Sequence, residues 1–278
     1  MGSGGLVYDP FSDLSLARRI NREYMQLVGI QPGDAVLDIG CGPGDSTEAI
    51  LGLLWDGHQY QGHVVAFDRD PKAVEMARER FAGKPVAVME CAVENLDQIG
   101  FKDGEFDAAV FANGAHYLRE AEQLMRALRA IRRVTGGVFA LWSAFTRETN
   151  QGNSTGRFSG FWVLEAYRLL RKRGYDRPRE RTKSENLQDR GREDYVLAFV
   201  EAGFRDIETR VTPYPFTPDV YQAIARFADY VANALPSDDV PIKERSEALF
   251  AAVQLAFDRL HVPSIDRNYV FVRGQAAA

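Results

Sequence analysis

Between residues 35 and 145 the chain alternates short runs rich in β-branched and aromatic residues with longer runs whose apolar residues recur at helical spacing. That alternation restricts the fold more than any other feature, because strand, helix and strand in succession demand a parallel sheet with right-handed crossovers. Ala35–Ile39, His63–Phe67, Pro85–Met89, Phe106–Ala112 and Val138–Phe145 are expected as the first five strands. Val74, Ala77 and Phe81 fall at i, i+3 and i+7, and Leu124, Leu128 and Ile131 at i, i+4 and i+7, so each connecting helix has one apolar face to lay on the sheet. Ile207–Val211 and Tyr269–Val272 add a sixth and a seventh strand. The expected architecture is α/β: a doubly wound, mostly parallel, seven-stranded sheet.

The 278 residues are expected to form one domain, residues 1–278, opening with a helical segment over residues 6–30. Regular alternation breaks twice, at residues 146–190 and 213–262, which are expected as helical lid insertions closing over the C-terminal edge of the sheet. Helices are expected near Phe158–Arg173, Val220–Leu235 and Ile242–Leu260 within these insertions, and at Tyr195–Ala202 between them. The most basic stretch, Arg168, Arg171, Lys172, Arg173, Arg177, Arg179, Arg181 and Lys183, is read as a solvated face, with a clamp for an anionic substrate as the alternative.

A net charge of −5 argues against a general nucleic-acid binder, which needs a basic field. The two cysteines, Cys41 and Cys91, support neither a disulfide framework nor a structural zinc site, and no metal is expected. The opening residues carry no leader pattern and no segment reaches the roughly 18 continuous apolar residues of a spanning helix, so a cytoplasmic protein without a membrane partner is expected.

The chemistry is concentrated in Val36-Leu37-Asp38-Ile39-Gly40-Cys41-Gly42-Pro43-Gly44, an acidic residue at the end of the first strand followed by a glycine-rich turn into a helix. A dinucleotide-binding turn needs a small residue at position 45, where Asp45 stands. An acid there opposes a diphosphate, and Pro43 removes an amide. Asp45 and Glu48 are expected to form a capping box for the following helix. The loop suits a ligand without phosphate, with Asp38 beside it able to hold a cationic group; S-adenosylmethionine, carrying an ammonium and a sulfonium, meets that description. Asp68, ending the second strand, can accept the hydroxyls of a ribose.

With VLDIGCGPG at 36–44, VVAFDRD at 64–70, AVENL at 92–96, FDAAVFANGAHYL at 106–118 and EAGFRDIE at 201–208, the chain resembles the class I S-adenosylmethionine-dependent methyltransferases, whose fold is Rossmann-like. The resemblance covers residues 30–145 well, 190–212 less closely, and the insertions not at all. It implies that Gly40, Gly42 and neighbours Cys41 and Gly44 contact the methionine portion of the cofactor while Asp38 orients the loop. It further implies that Asp68 binds the ribose, Arg69 lies near the adenine, Ala92 and Val93 border the adenine edge, and the backbone near Asn113 faces the methionine ammonium. Ala92 stands where many relatives place an aspartate for the adenine amino group.

His116 follows the fourth strand, where the reacting group is presented, and is the candidate general base; its other reading is packing against the cofactor. Cys41 is read as a small filler rather than a nucleophile. Trp142, Trp162 and Phe216, among the aromatic residues on or beside the insertions, are candidates for lining an apolar acceptor pocket. Ala112-Asn113-Gly114-Ala115 lacks the Pro-Pro-aromatic arrangement of enzymes that methylate amino groups of nucleic acids or protein glutamine. The expected activity is methyl transfer to the oxygen, nitrogen or carbon of a small apolar or aromatic acceptor, such as a quinone, lipid or secondary metabolite. The alternatives are a cofactor-binding protein or an enzyme that uses the same cofactor without methylating.

Overall fold

The computed structural model describes residues 15–118, 120–150, 155–175 and 190–276. The chain divides into two compact units. One contains Arg18–Glu148, Gln188–Thr212 and Tyr269–Ala278; the other contains Thr149–Leu187 and Pro213–Asn268 together with Met1–Ala17.

The sheet has seven strands: β1 (Ala35–Ile39), β2 (His63–Asp68), β3 (Val86–Glu90), β4 (Phe106–Ala112), β5 (Thr135–Ser143), β6 (Phe204–Phe216) and β7 (Ile265–Ala276). Their order is β3-β2-β1-β4-β5-β7-β6. The first five pair in parallel, and β7 runs antiparallel to β5, with Leu141 opposite Val272. The reversal of strand order at β1 and β4 opens the crevice where such sheets bind ligands. Strands one to four lie where the sequence put them, within a residue at either end. β5 starts earlier than expected because α4 (Ala121–Val134) runs into it without a loop. Gly136 and Gly137 look like turn residues, yet they are strand residues at a close backbone approach: a Cβ on Gly137 would lie 2.2 Å from the Asp107 carbonyl oxygen.

In this first unit α1 (Ser15–Val28) buries Ile20, Tyr24, Met25 and Val28, and Tyr24 stacks on Phe271 at 5.2 Å. Residues 6–14 of the expected opening helix lie outside the described residues. α2 (Asp45–Leu54) and α3 (Pro71–Arg80) bury Ile50, Leu51, Leu54 and Ala73, Val74, Ala77. Pro71 occupies the first helical turn and Asp70 accepts the Lys72 amide, so α3 is capped as its sequence requires. α6 (Arg192–Glu201) packs by Phe199 on Phe139 of β5, ring centres 5.1 Å apart.

In the second unit α5 (Thr155–Lys172) lies along α9 (Ile242–Leu260). The single helix expected over Val220–Leu235 is two, α7 (Pro218–Ile224) and α8 (Ala228–Ala234). At the break the Ala225 carbonyl accepts the hydroxyl of Ser246 from α9 at 2.7 Å, and Phe227 takes an extended backbone. Of the basic stretch, Arg177, Arg179, Arg181 and Lys183 lie outside the described residues. Arg173 bonds Glu244 at 2.8 Å and Arg168 bonds Glu165 at 2.5 Å, surface pairs of little energetic weight. No helix among the described residues is long and apolar enough to cross a membrane.

Candidate functional site

The turn after β1 is built from glycines that only glycine's backbone freedom allows. Gly40, Gly42 and Gly44 have φ of 64°, 55° and 103°. A Cβ on Gly44 would lie 2.2 Å from the Phe81 ring, and one on Gly40 would lie 3.0 Å from Phe111. Phe111 also blocks a side chain at Gly114, 2.2 Å from where its Cβ would be, so the turns after β1 and β4 close on one ring.

The loop's amides are engaged within the protein. Cys41 donates to the Phe67 carbonyl at 3.0 Å, Gly42 to Asp68 Oδ2 at 2.9 Å and Gly44 to the Cys41 carbonyl at 3.0 Å, while Pro43 has no N–H. A diphosphate therefore finds no free donor on residues 41–44, and this is the physical reason the loop disfavours dinucleotides. Repulsion by Asp45 is a lesser reason than the sequence suggested, because Asp45 is neutralised by Arg80 at 2.9 Å. The expected capping box does not form either. Gly44 is the N-cap of α2 without a side-chain cap, and Asp45 and Glu48 both turn to Arg80, which also donates to the Pro43 carbonyl.

Asp38 is fully buried at the end of β1. Its Oδ2 accepts the hydroxyls of Ser46 and Thr47 at 2.7 and 2.6 Å, and its Oδ1 has no partner. Burial, opposed by those two hydroxyls and aided by the charges of Asp68 and Asp45, pushes the carboxyl up to about 6. Asp68 accepts the Gly42 amide on one oxygen and the Asp70 amide on the other, both at 2.9 Å. Each oxygen keeps a lone pair, so the carboxylate is aimed but not saturated. Two carboxylates, one with an unsatisfied buried oxygen, fit a cationic ligand that also carries hydroxyls, as S-adenosylmethionine does.

The other expected residues gather at the same edge. The Arg69 guanidinium lies 5.0 Å from the centre of the Tyr117 ring. Ala92 opens the turn after β3, whose Cys91 amide bonds the Asp68 carbonyl at 2.9 Å; the Val93 side chain points into the core. Asn113 takes a left-handed φ of 48°, donates its amide to the Trp142 carbonyl and accepts the Ala144 amide on its side chain. His116 is buried between Tyr117 and Phe145, ring centres 4.2 and 4.1 Å away. Burial pushes the Cys41 thiol far up, which keeps it a filler.

The aromatic lining candidates are all buried. Trp142 is 0% exposed, bonds Asn21 through its indole N–H and packs on Tyr24 and Phe271. Trp162, also 0% exposed, donates to the Leu249 carbonyl at 2.7 Å, and Phe216 packs on Tyr221. In the described structure their surfaces pack against other side chains. Sequence reasoning missed Ser46, Thr47, Arg80, Phe81, Phe111 and Gly114. The Ser-Thr pair beside the glycine turn was a usable signal for the first two; the others act across the fold and leave no local trace.

Comparison with known proteins agrees with this layout. Residues 36–136 match the methyltransferase domain family. The chain is 27% identical over 149 residues to a demethylmenaquinone methyltransferase of Bacillus cereus, covering 52% of this chain and 57% of that protein. It is 32% identical over 132 residues to the 2-phytyl-1,4-naphtoquinone methyltransferase of Trichormus variabilis, covering 46% and 55%. The chain thus spans just over half the length of these relatives. A putative methyltransferase from an antibiotic biosynthesis pathway of Anabaena variabilis superposes with a TM-score of 0.62 at 17% identity, covering 94% of this chain and 99% of that one, a likeness of fold. Sheet order, a glycine turn with its amides engaged, carboxylates at the ends of β1 and β2 and the domain match over residues 36–136 converge: over that stretch the chain is similar to the class I S-adenosylmethionine-dependent methyltransferases.

Proposed function

We propose that the chain transfers the methyl group of S-adenosylmethionine to a small, largely apolar acceptor of the quinol or aromatic natural-product type. The observation that carries the cofactor assignment is the buried, unpartnered Oδ1 of Asp38 beside a turn whose Cys41, Gly42 and Gly44 amides are already engaged. The acceptor class is supported by the quinone-directed names of the relatives above. S-adenosylmethionine supplies an already electrophilic methyl group on its sulfonium, so the protein's task is alignment and exclusion of water. Asp38 and the turn of Gly40–Gly44 hold the methionine end and Asp68 the ribose. Arg69, Ala92 and the backbone of Val93 border the adenine, Asn113 faces the methionine ammonium, and His116 accepts the acceptor's proton. The unit formed by residues 149–187 and 213–268 confers acceptor specificity. A cytoplasmic location and a part in secondary metabolism belong to the same proposal, supported by the free thiols of Cys41 and Cys91 and by the antibiotic-pathway fold relative.

Calorimetry tests the cofactor assignment. S-adenosylmethionine and S-adenosylhomocysteine are expected to bind and nicotinamide dinucleotides to fail. Asp68→Ala should weaken binding by about 1.5–3 kcal/mol, the scale of lost hydrogen bonds to a charged group. Unchanged affinity in that variant removes the ribose assignment.

A pH dependence follows from Asp38. Its carboxyl sits at about 6 in the folded chain against 3.8 ordinarily, so the stability contributed by the protonated form is lost as pH rises from about 4 through 6. A cation against Oδ1 draws that carboxyl back down. Cofactor binding at pH 5.5 is therefore expected to release a proton, and affinity to rise with pH through about 6. Titration in buffers of different ionisation enthalpy measures the release; none at pH 5.5 would mean that Asp38 does not face the cation.

A further inference from the structure

We propose that Arg190 is a positioning residue for the turn that presents His116. The inference rests on the reading of His116 given above.

His116 lies on a short turn, Ala115–Tyr117, closed by the Leu118 amide on the Ala115 carbonyl at 3.2 Å. The Leu118 carbonyl, pointing the other way, accepts Nη1 of Arg190 at 2.6 Å. Arg190 is 8% exposed and stands 72 residues further along the chain. Its own carbonyl accepts the Arg147 amide at 3.1 Å, which ties it to the segment following β5. That segment is locked in turn to the start of α6. The Arg192 amide donates to Glu148 at 2.8 Å, Arg147 pairs with Asp194, and the Gly191 amide donates to Asp194 at 2.7 Å. A Cβ on Gly191 would fall 2.8 Å from the Glu148 carboxylate, so the two segments lie in close contact there.

Phe145, on the same post-β5 segment, and Tyr117 both pack on the His116 ring in tilted contacts, ring centres 4.1 and 4.2 Å away. Rings alone permit sliding and tilting of the imidazole. The direction of the turn's last carbonyl fixes the backbone that bears it, and a buried guanidinium makes that bond short and directional. A neutral side chain would fill the space without the cost of burying a charge. The guanidinium also hydrogen-bonds the buried Tyr195 side chain on α6; its bond to Leu118 is the one that sets the angle at which His116 meets the reacting group.

The test uses the full chain with Arg190→Met, which fills the site without the cation, and Arg190→Lys, which keeps the charge but shortens the reach. In both, NMR follows the His116 ring resonances and calorimetry follows S-adenosylhomocysteine affinity. Methyl transfer to a prenylated 1,4-naphthalenediol follows turnover. Displaced His116 resonances are expected in both variants, with affinity for S-adenosylhomocysteine within about threefold of wild type. A fall in kcat without a matching rise in the cofactor KM is expected, larger in Arg190→Met than in Arg190→Lys. Either variant, folded, with wild-type His116 resonances overturns the proposal. A wild-type protein that never turns over would refute the methyltransfer reading instead, and the ring resonances would still decide the role of Arg190.

Discussion

Gly44→Ala is expected to destabilise the chain by about 2–5 kcal/mol and to remove measurable cofactor binding. Two costs add. An alanine at φ 103° is strained by roughly 1–2 kcal/mol, because its Cβ collides with its own backbone. Its methyl would also stand 2.2 Å from a Phe81 ring that is only 2% exposed and cannot swing away, and overpacking of this kind costs about 1–3 kcal/mol. Phe81→Leu in the same chain should return part of the second cost and none of the first. Denaturant unfolding of the two single variants and the double variant separates them; a Gly44→Ala protein within 0.5 kcal/mol of wild type, the usual range of an inert surface change, would show that the turn does not need this geometry.

His116→Phe is expected to lower the rate of methyl transfer by at least tenfold while leaving cofactor affinity near normal. Phenylalanine keeps ring contacts with Tyr117 and Phe145 and removes the ring nitrogens, which makes it a cleaner change than alanine in a buried slot. A positioned general base contributes typically 100- to 10,000-fold, so loss of the base should dominate any residual packing effect. A phenol or carbon acid must lose a proton as the methyl arrives. Steady-state rates for both His116→Phe and His116→Ala decide the matter: if phenylalanine retains the wild-type rate and alanine does not, the ring serves packing and proximity alone carries catalysis.

Much of the first unit was legible because its signals are local. A strand buried on both faces is a short β-branched run, its crossover helix shows one apolar stripe, and the glycine turn declares itself by residue type. Asp38, Gly40–Gly44, Asp68 and Asn113 were singled out by such signals, and all stand at the C-terminal edge of β1, β2 and β4. The errors share one cause, namely partners distant in sequence. Asp45 and Glu48 have the spacing of a capping box, yet Arg80 from the next helix takes both. The fifth strand was expected from Val138, yet it takes in Gly136 and Gly137, which lie against the Gly104 and Asp107 backbone. The helix over Val220–Leu235 breaks because Ser246, on another helix, claims the Ala225 carbonyl. Trp142, Trp162 and Phe216 carry large apolar surfaces, and nothing in a sequence tells whether a ligand or other side chains will cover them; here side chains do. The N–H groups of Cys41, Gly42 and Gly44 were likewise invisible as donors already engaged, although that engagement is what separates this loop from a phosphate cradle.

The most direct test of methyl transfer is mass spectrometry of the wild-type protein incubated with S-adenosylmethionine and a panel of prenylated naphthalenediols, phenols and related aromatic acceptors. S-adenosylhomocysteine and a product heavier than its acceptor by one methylene are expected to appear in equal amounts, at a rate that falls at least tenfold in His116→Phe. An acceptor converted without gain of mass while S-adenosylmethionine stays intact, or tight cofactor binding with no S-adenosylhomocysteine from any acceptor, would contradict methyl transfer and leave the pocket as a holder of the cofactor alone.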